Sequence, residues 1–185
     1  VKAPTTTETG LAERVCAECG SVETKVLPKV IESLTNPDFN ISVDFGAEAA
    51  VSEGSALLVE KIVGETDENL QEILEIYKNS VLIDGYDIAL MYNGSQVSLN
   101  ETATIKFMIS SDNAEMYNDY KIFYIDAGGV SHEMDVSFEE NTLTIHSNDL
   151  GRFMIIGIQP EHSANVLLIV GIVILVVVVI GGIVG

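Results

Sequence analysis

The last twenty residues of the chain, 166–185, contain neither a charged nor a polar side chain, and every charged side chain lies before them. A helix rises about 1.5 Å per residue, so roughly 20 apolar residues cover the ~30 Å hydrocarbon core of a bilayer. Only a helix satisfies the backbone hydrogen bonds of a single span there. The segment therefore predicts one transmembrane α-helix, with the lipid bilayer as its partner. The alternative, a buried core helix, is disfavoured because the segment has no polar face.

The flanks of this segment are unusual for a membrane protein. The last basic residue is Arg152, and no Lys/Arg cluster of the kind that marks a cytoplasmic end follows the segment. The sequence begins at Val1 and shows no signal peptide. We therefore expect a fragment or processed chain with a basic tail beyond Gly185. On this interpretation it crosses the cell membrane once, with its N-terminal part extracellular.

Charge restricts the partners of the remaining residues. Nine Lys and Arg against 28 Asp and Glu give a formal net charge of −19. Such a surface repels phosphates, so nucleic acid is excluded as a partner. About 160 residues precede the apolar segment, which is enough for one main domain and a small appendage.

Residues 1–38 form the predicted appendage and hold both cysteines, Cys16 and Cys19, in the run CAECG. Short β-like runs at 11–15 and 22–27 flank them, so we expect a β-hairpin with the cysteines at its turn. A CxxCG turn suits half of a tetrahedral zinc site, because both thiolates reach one metal and glycine accepts the tight turn. The favoured interpretation is nevertheless a disulfide or two free thiols that staple the small hairpin. Zinc, with its other ligands supplied by a partner repeat upstream, and a redox pair are the alternatives.

A resemblance follows from residues 5–28, TTTETGLAERVCAECGSVETKVLP. They are similar to a short repeat of large surface proteins of anaerobic Gram-positive bacteria, which carries a threonine-rich start, a CxxCG turn and a closing proline. The threonine-rich stretch here lacks the early cysteine of some copies. The resemblance implies an extracellular, multi-module protein.

Residues 39–158 form the predicted main domain. Alternating apolar and polar residues predict half-buried strands. We expect strands at 39–45, 56–63, 86–92, 102–109, 120–126, 130–138, 142–146 and 152–158. Turn residues separate several of them, among them Asn93-Gly94, Asp126–Gly129, Glu140-Asn141 and Leu150-Gly151. The fold class predicted is therefore all-β: an antiparallel, Ig-like β-sandwich.

One α-helix is expected within this domain. Thr66 can cap it, and Asp67 and Glu68 would lie in its first turn. The apolar residues Leu70, Ile73, Leu74 and Tyr77 follow at helical spacing, which predicts a face directed toward the core.

The order of the main-domain segments resembles a second module of the same surface proteins. The matching pieces are YDIAL at 86–90, the strand at 104–109, FYID at 123–126 and the closing strand at 153–156. Family copies place His-Phe-Ser near the last strand, whereas this chain has LGRF at 150–153. Backbone self-cleavage, known for distant relatives of that module, is therefore not implied.

Catalytic motifs for a hydrolase or a phosphate-binding enzyme do not occur in the sequence, so we predict no enzyme activity. His132 is expected to be a half-exposed sheet residue, and His146 to pair with Asp149. The oxygen-rich residues 110–119 predict a solvated acidic loop, with a calcium site as the alternative. Neither a cofactor nor a complete metal site is predicted, and Cys16 and Cys19 would supply at most half of a zinc site.

Residues 159–165 form a spacer, in which Pro160 separates the last strand from the apolar segment. The sequence thus predicts a membrane-anchored, non-catalytic structural or adhesion module that presents or spaces upstream domains. It would contact an extracellular protein or a glycan. One alternative is the anchor and stalk of a surface enzyme whose catalytic module lies upstream. A tail-anchored intracellular protein, with reduced cysteines, is another.

Overall fold

The structure, a computed structural model, describes residues 1–47, 49–62, 68–117 and 119–159. These residues form fifteen strands and two short helices, and all pairs between the strands are antiparallel. The strands are β1 (Gly10–Val15), β2 (Val22–Leu27), β3 (Val30–Ile31), β4 (Ser33–Asn36), β5 (Ile41–Asp44), β6 (Val51–Ser52), β7 (Ala56–Lys61), β8 (Ser80–Tyr92), β9 (Ser95–Val97), β10 (Ala103–Met108), β11 (Asp119–Ile125), β12 (Ser131–Met134), β13 (Val136–Glu139), β14 (Thr142–Ser147) and β15 (Arg152–Ile158), and the helices are α1 (Glu68–Ile76) and α2 (Ser111–Met116).

Two large antiparallel sheets enclose the core. One has the strand order β13-β14-β10-β5-β4, and the other has the order β12-β11-β15-β8-β7 with β9 paired to β8. Phe107 of the first sheet lies between aromatic rings of the second, with its ring centroid 6.1 Å from Tyr86 and 5.9 Å from Phe153. Inward-facing residues of both sheets belong to one buried cluster. This is a β-sandwich-like, all-β fold, as the alternating segments predict.

Strand β15 is the central strand of the second sheet. It pairs with β11 on one side and with β8 on the other, over seven residues each. Phe153 and Ile155 point into the space between the sheets, whereas Met154 and Ile156 belong to a second cluster on the outer face. All four side chains are at most 1% exposed. Burial on both faces explains why this strand is a continuous apolar run instead of an alternating one.

Helix α1 covers the outer face of the same sheet. Leu70 and Ile73 are each 2% exposed, and they pack in the cluster that contains Met154 and Ile156. Leu74 and Tyr77 pack against this cluster as partly buried residues. The predicted core-facing stripe is therefore confirmed. The predicted cap, Thr66 and Asp67, lies outside the described residues.

Two parts of the main domain differ from the prediction. The expected strand at 130–138 is two strands, because β12 pairs with β11 in one sheet and β13 pairs with β14 in the other. The chain changes sheet at Asp135. The expected loop at 110–119 contains the helix α2, which Ser110 caps by accepting a hydrogen bond from the Asn113 backbone N–H.

The first large sheet begins only a few residues after the hairpin of the appendage. Strands β1 and β2 form a separate two-stranded hairpin with six residue pairs, as predicted for the residues around the cysteines. Strand β4, at 33–36, then pairs with β5 and forms an edge of the first sheet. This sheet therefore begins before residue 39.

Positive backbone φ angles confirm two predicted hairpin turns. Asn93 and Gly94 have φ angles of 50° and 78°, and Glu140 and Asn141 have φ angles of 48° and 64°. Two consecutive positive φ angles are typical of a type I′ turn, whose twist matches that of the strands it joins.

The predicted membrane span at 166–185 lies outside the described residues, as do residues 160–165 of the spacer. Among the residues that are described, neither helix is long and apolar enough to cross a bilayer.

Candidate functional site

Cys16 and Cys19 lie at the exposed turn of the β1–β2 hairpin. The Cys16 backbone N–H donates to the carbonyl oxygen of Ser21 at 2.9 Å, and the Gly20 N–H donates to the Cys16 carbonyl at 2.9 Å. Gly20 has a φ of 68°, a conformation that favours glycine. The tight turn places two free, exposed thiols at the end of the hairpin.

The Cys19 thiol is activated by its neighbours. Its sulfur lies 3.0 Å from the Ser21 hydroxyl oxygen. Hydrogen bonds with the Ser21 side chain, with the Ser21 backbone and with the Cys16 thiol lower the pKa of Cys19 to about 7. An ordinary thiol has a pKa of about 8.5, so a much larger fraction of Cys19 is thiolate at neutral pH. Thiolates are the form that binds metals and attacks electrophiles.

Replacing Ser21 by alanine is expected to slow the alkylation of Cys19. Because the variant loses the hydroxyl that stabilises the thiolate, the pKa of Cys19 should rise. The rate of reaction with iodoacetamide near neutral pH should then fall several-fold, with little change at alkaline pH. Mass spectrometry of the Cys19 peptide across a pH series measures this rate. Ser21→Thr, which keeps a hydroxyl, is the control, and an unchanged pH midpoint in Ser21→Ala would contradict the assignment.

A zinc ion needs four protein ligands in a structural site. In the part of the chain that the structure describes, no group of three or more His, Cys, Asp and Glu side chains is placed to hold a metal ion. Zinc at Cys16 and Cys19 therefore stays an alternative interpretation, as does calcium at residues 110–119.

A second cluster of polar residues surrounds the turn between β11 and β12. Asp126 accepts hydrogen bonds through Oδ1 from the backbone N–H groups of Gly128 and Val130, at 2.8 and 2.9 Å. Its Oδ2 lies 2.9 Å from His132 Nε2. The hydrogen bond from His132, followed by that from Val130, holds the pKa of the Asp126 carboxyl below its ordinary value. The ring of Tyr124 stacks on His132 at a centroid distance of 6.3 Å.

A pocket of about 380 Å³ opens beside this turn. Its lining includes Asp87, Tyr124, Asp126 and Arg152, so acidic, aromatic and basic groups meet there. Asp87 and Arg152 are directly opposed residues of β8 and β15. The pocket thus offers both acidic and basic hydrogen-bonding groups, a composition that suits a polar ligand.

The Asp126–His132 pair resembles part of a hydrolytic site, but no hydroxyl or thiol among the described residues is hydrogen-bonded to His132. Such a site needs a hydroxyl or thiol within hydrogen-bond reach of the histidine. Among the described residues, the hydrogen bond of His132 is made with Asp126. The predicted half-exposed position of His132 is confirmed, because its side chain is 51% exposed. Absence of enzyme activity stays a prediction.

His146 differs from its prediction. Its Nδ1 lies 3.1 Å from the hydroxyl of Thr104, its partner across the β10–β14 pair. Asp149 instead bonds with Ser147, through both its backbone N–H and its carbonyl oxygen. The prediction that His146 pairs with Asp149 is therefore wrong.

A third polar cluster joins helix α1 to the second sheet. The Tyr77 hydroxyl donates to Glu133 Oε2 at 2.6 Å, and Lys121 Nζ lies 2.9 Å from Glu133 Oε1. The Tyr77 hydrogen bond, and then that of Lys121, lowers the pKa of the Glu133 carboxyl. The same contacts raise the pKa values of Tyr77 and Lys121. This cluster holds the last turn of α1 against β11 and β12.

Acid is expected to weaken the contribution of Glu133 to the stability of the folded chain. Because its folded-state pKa is lowered, the contribution is complete above the unfolded pKa of about 4.3 and is lost as the pH falls through the folded value. Tyr77 and Lys121 keep their protons throughout this range. Glu133→Gln should therefore reduce the urea midpoint more at about pH 7 than at about pH 3.

Urea unfolding of the Glu133→Gln chain, measured at both pH values, tests this. Glu139→Gln, which removes an exposed carboxylate from β13, is the matched control. An equal difference between native and variant chains at the two pH values would contradict the role of Glu133.

The sequence predicts the turn at Asp126 and the strand position of His132 separately, but it does not predict that the two side chains pair. A signal for it exists, since the two residues flank a short glycine-containing turn that brings β11 and β12 together. No comparable signal exists for Tyr77 and Glu133, which are 56 residues apart in the sequence.

No protein-family model matches the chain, and no curated protein is significantly similar to it.

Proposed function

We propose that this chain is a non-catalytic extracellular module that residues 166–185 anchor in the cell membrane. In this role it presents or spaces other domains of a larger surface protein. The observation that carries the proposal is the position of β15. This strand is central in its sheet, and its last residue, Ile158, is followed after seven residues by the apolar segment that begins at Val166.

A tether attached to β15 would load a central strand that is paired on both sides. Seven residues of β15 pair with β11, and seven pair with β8. Its four central side chains, Phe153 to Ile156, are at most 1% exposed. Displacing this strand would expose these side chains and break the hydrogen bonds of two strand pairs at once. An edge strand would be held on one side only.

The proposal includes an Ig-like arrangement of the two sheets. Two facing antiparallel sheets with short hairpins support an Ig-like sandwich, an architecture common in cell-surface domains. The CxxCG hairpin before it supports the resemblance to surface proteins of anaerobic Gram-positive bacteria. The charge of −19 agrees with a solvated surface.

A ligand of the module, if it acts as an adhesin, would occupy the pocket beside Asp126. Its charged and aromatic lining suits a glycan or a polar protein loop. An array of glycans and matrix proteins, probed with the full chain and with Asp126→Ala, separates the two roles. Binding that is lost in the variant supports adhesion, and no binding by either chain supports a spacer.

Membrane anchoring is tested by extraction from vesicles. The full chain, synthesised in the presence of membrane vesicles, should stay in the pellet after a wash with alkaline carbonate. A chain that ends at Gln159 should be released, because it lacks the apolar segment. Release of both chains would contradict the proposal.

A further inference from the structure

The β1–β2 hairpin exposes a small apolar patch beside its two thiols. Val15 and Val22 are directly opposed residues next to the turn, and they are 62% and 59% exposed. Val26, on the same face but separated from this pair by the opposed residues Glu13 and Thr24, is 64% exposed. At the other end of the hairpin, the N-terminal segment covers the backbone, since Lys2 and Leu11 exchange hydrogen bonds. The opposed valines Val15 and Val22 thus form an exposed apolar patch that adjoins Cys16 and Cys19.

The hairpin differs in charge from the rest of the chain. Residues 1–27 carry three basic and four acidic side chains, whereas the whole chain has a net charge of −19. The face opposite the valines carries the opposed pair Arg14 and Glu23. Two copies of this chain can therefore approach through their hairpins without the repulsion that their acidic domains would generate.

The number of ligands indicates what would join two copies. Each chain presents two exposed, free thiols on one turn. The described residues contain no third or fourth ligand placed to complete a site with them. A structural zinc site takes four ligands in tetrahedral geometry, and a two-fold axis through the metal supplies two from each copy.

We propose that two copies of this chain share one zinc ion, which is bound by Cys16 and Cys19 of each copy. The faces formed by Val15 and Val22 then pack against each other beside the metal. Each thiol that binds Zn²⁺ releases its proton to solvent, so the four thiols form a tetrathiolate complex without any change in oxidation state. The proposal does not require membrane anchoring, and it gives the hairpin a role in assembly.

The stoichiometry of metal binding tests this proposal. The reduced full chain, in detergent at less than one chain per micelle, is titrated with zinc chloride. We expect binding to saturate at one zinc per two chains, together with a doubling of the protein mass in light scattering. EDTA should restore the monomer. Substitution by Co²⁺ should give the visible absorption bands of a tetrahedral thiolate site.

Matched variants distinguish the metal site from the apolar face. Cys16→Ser and Cys19→Ser should each abolish the zinc-dependent dimer, while the unfolding transition of the sandwich stays unchanged. Val22→Lys should weaken dimerisation at least tenfold by placing like charges near the two-fold axis. Glu23→Gln changes the net charge by the same amount on the opposite face of the hairpin, and should leave dimerisation unchanged.

Three results would overturn the proposal. The first is one zinc per chain on a monomer, which would indicate that solvent or another module completes the site. The second is oxidation of Cys16 and Cys19 by air to a disulfide within one chain, together with no binding of zinc after this disulfide is reduced. The third is a dimer that persists in EDTA and in both serine variants.

Discussion

A chain that ends at Leu150, before β15, is expected not to fold. It loses four side chains that are at most 1% exposed, Phe153 to Ile156, and their burial contributes roughly 6–12 kcal/mol at about 1.5–3 kcal/mol each. That amount is comparable to the entire stability of a typical domain, about 5–15 kcal/mol. It also leaves β11 and β8 without their shared partner. Near-ultraviolet circular dichroism and heat denaturation should show neither fixed aromatic packing nor a cooperative transition.

The matched control is a chain that ends at Gln159. It keeps β15 complete and lacks the residues that follow, so we expect the cooperative transition to be retained. A cooperative transition in the chain that ends at Leu150 would contradict the central position of β15.

Replacing Phe107 by alanine is expected to destabilise the fold by about 3–5 kcal/mol, the usual cost of removing a large buried aromatic side chain. Phe107 is 1% exposed, and its ring lies between those of Tyr86 and Phe153 in the opposite sheet. The variant leaves a cavity where the two sheets meet. Urea denaturation of the variant and the native chain measures the free energy difference.

Met108, the next residue of β10, provides the control because it points away from the core and is 60% exposed. Met108→Ala should change the free energy of unfolding by no more than about 0.5 kcal/mol. Similar losses in both variants would show that β10 does not face the second sheet as the structure describes.

Periodicity predicted the parts of this fold that depend on local pattern. Strand β15 begins and ends as expected at Arg152 and Ile158, because its apolar run is bounded by the Leu150-Gly151 turn and the polar spacer. The core-facing stripe of α1 was also predicted. The alternation of apolar and polar residues indicates which side chains are buried, however, but not which strand lies beside them. For that reason the change of sheet at Asp135 was missed, since apolar and polar residues continue to alternate through Met134 and Val136.

Local sequence pattern also fails to predict helix α2 and the polar contacts. Helix α2 has no buried residue and thus no apolar stripe, so only its cap, Ser110, could have indicated it. The turn that contains Asp126 was predicted, but its bond to His132 depends on the register of β11 and β12. The contact of Tyr77 with Glu133 depends on how a helix docks on a sheet far along the sequence.

We propose that the folded part of the chain lies outside the cell and is tethered by its C-terminal segment. The exposed thiols Cys16 and Cys19 allow a direct measurement. Intact cells that make the protein natively are treated with a reductant and a chelator that do not cross membranes, and then with a membrane-impermeant maleimide. We expect both cysteines to be labelled on intact cells, while a cytosolic protein in the same sample is labelled only after lysis. Labelling of Cys16 and Cys19 only after lysis would contradict the extracellular location.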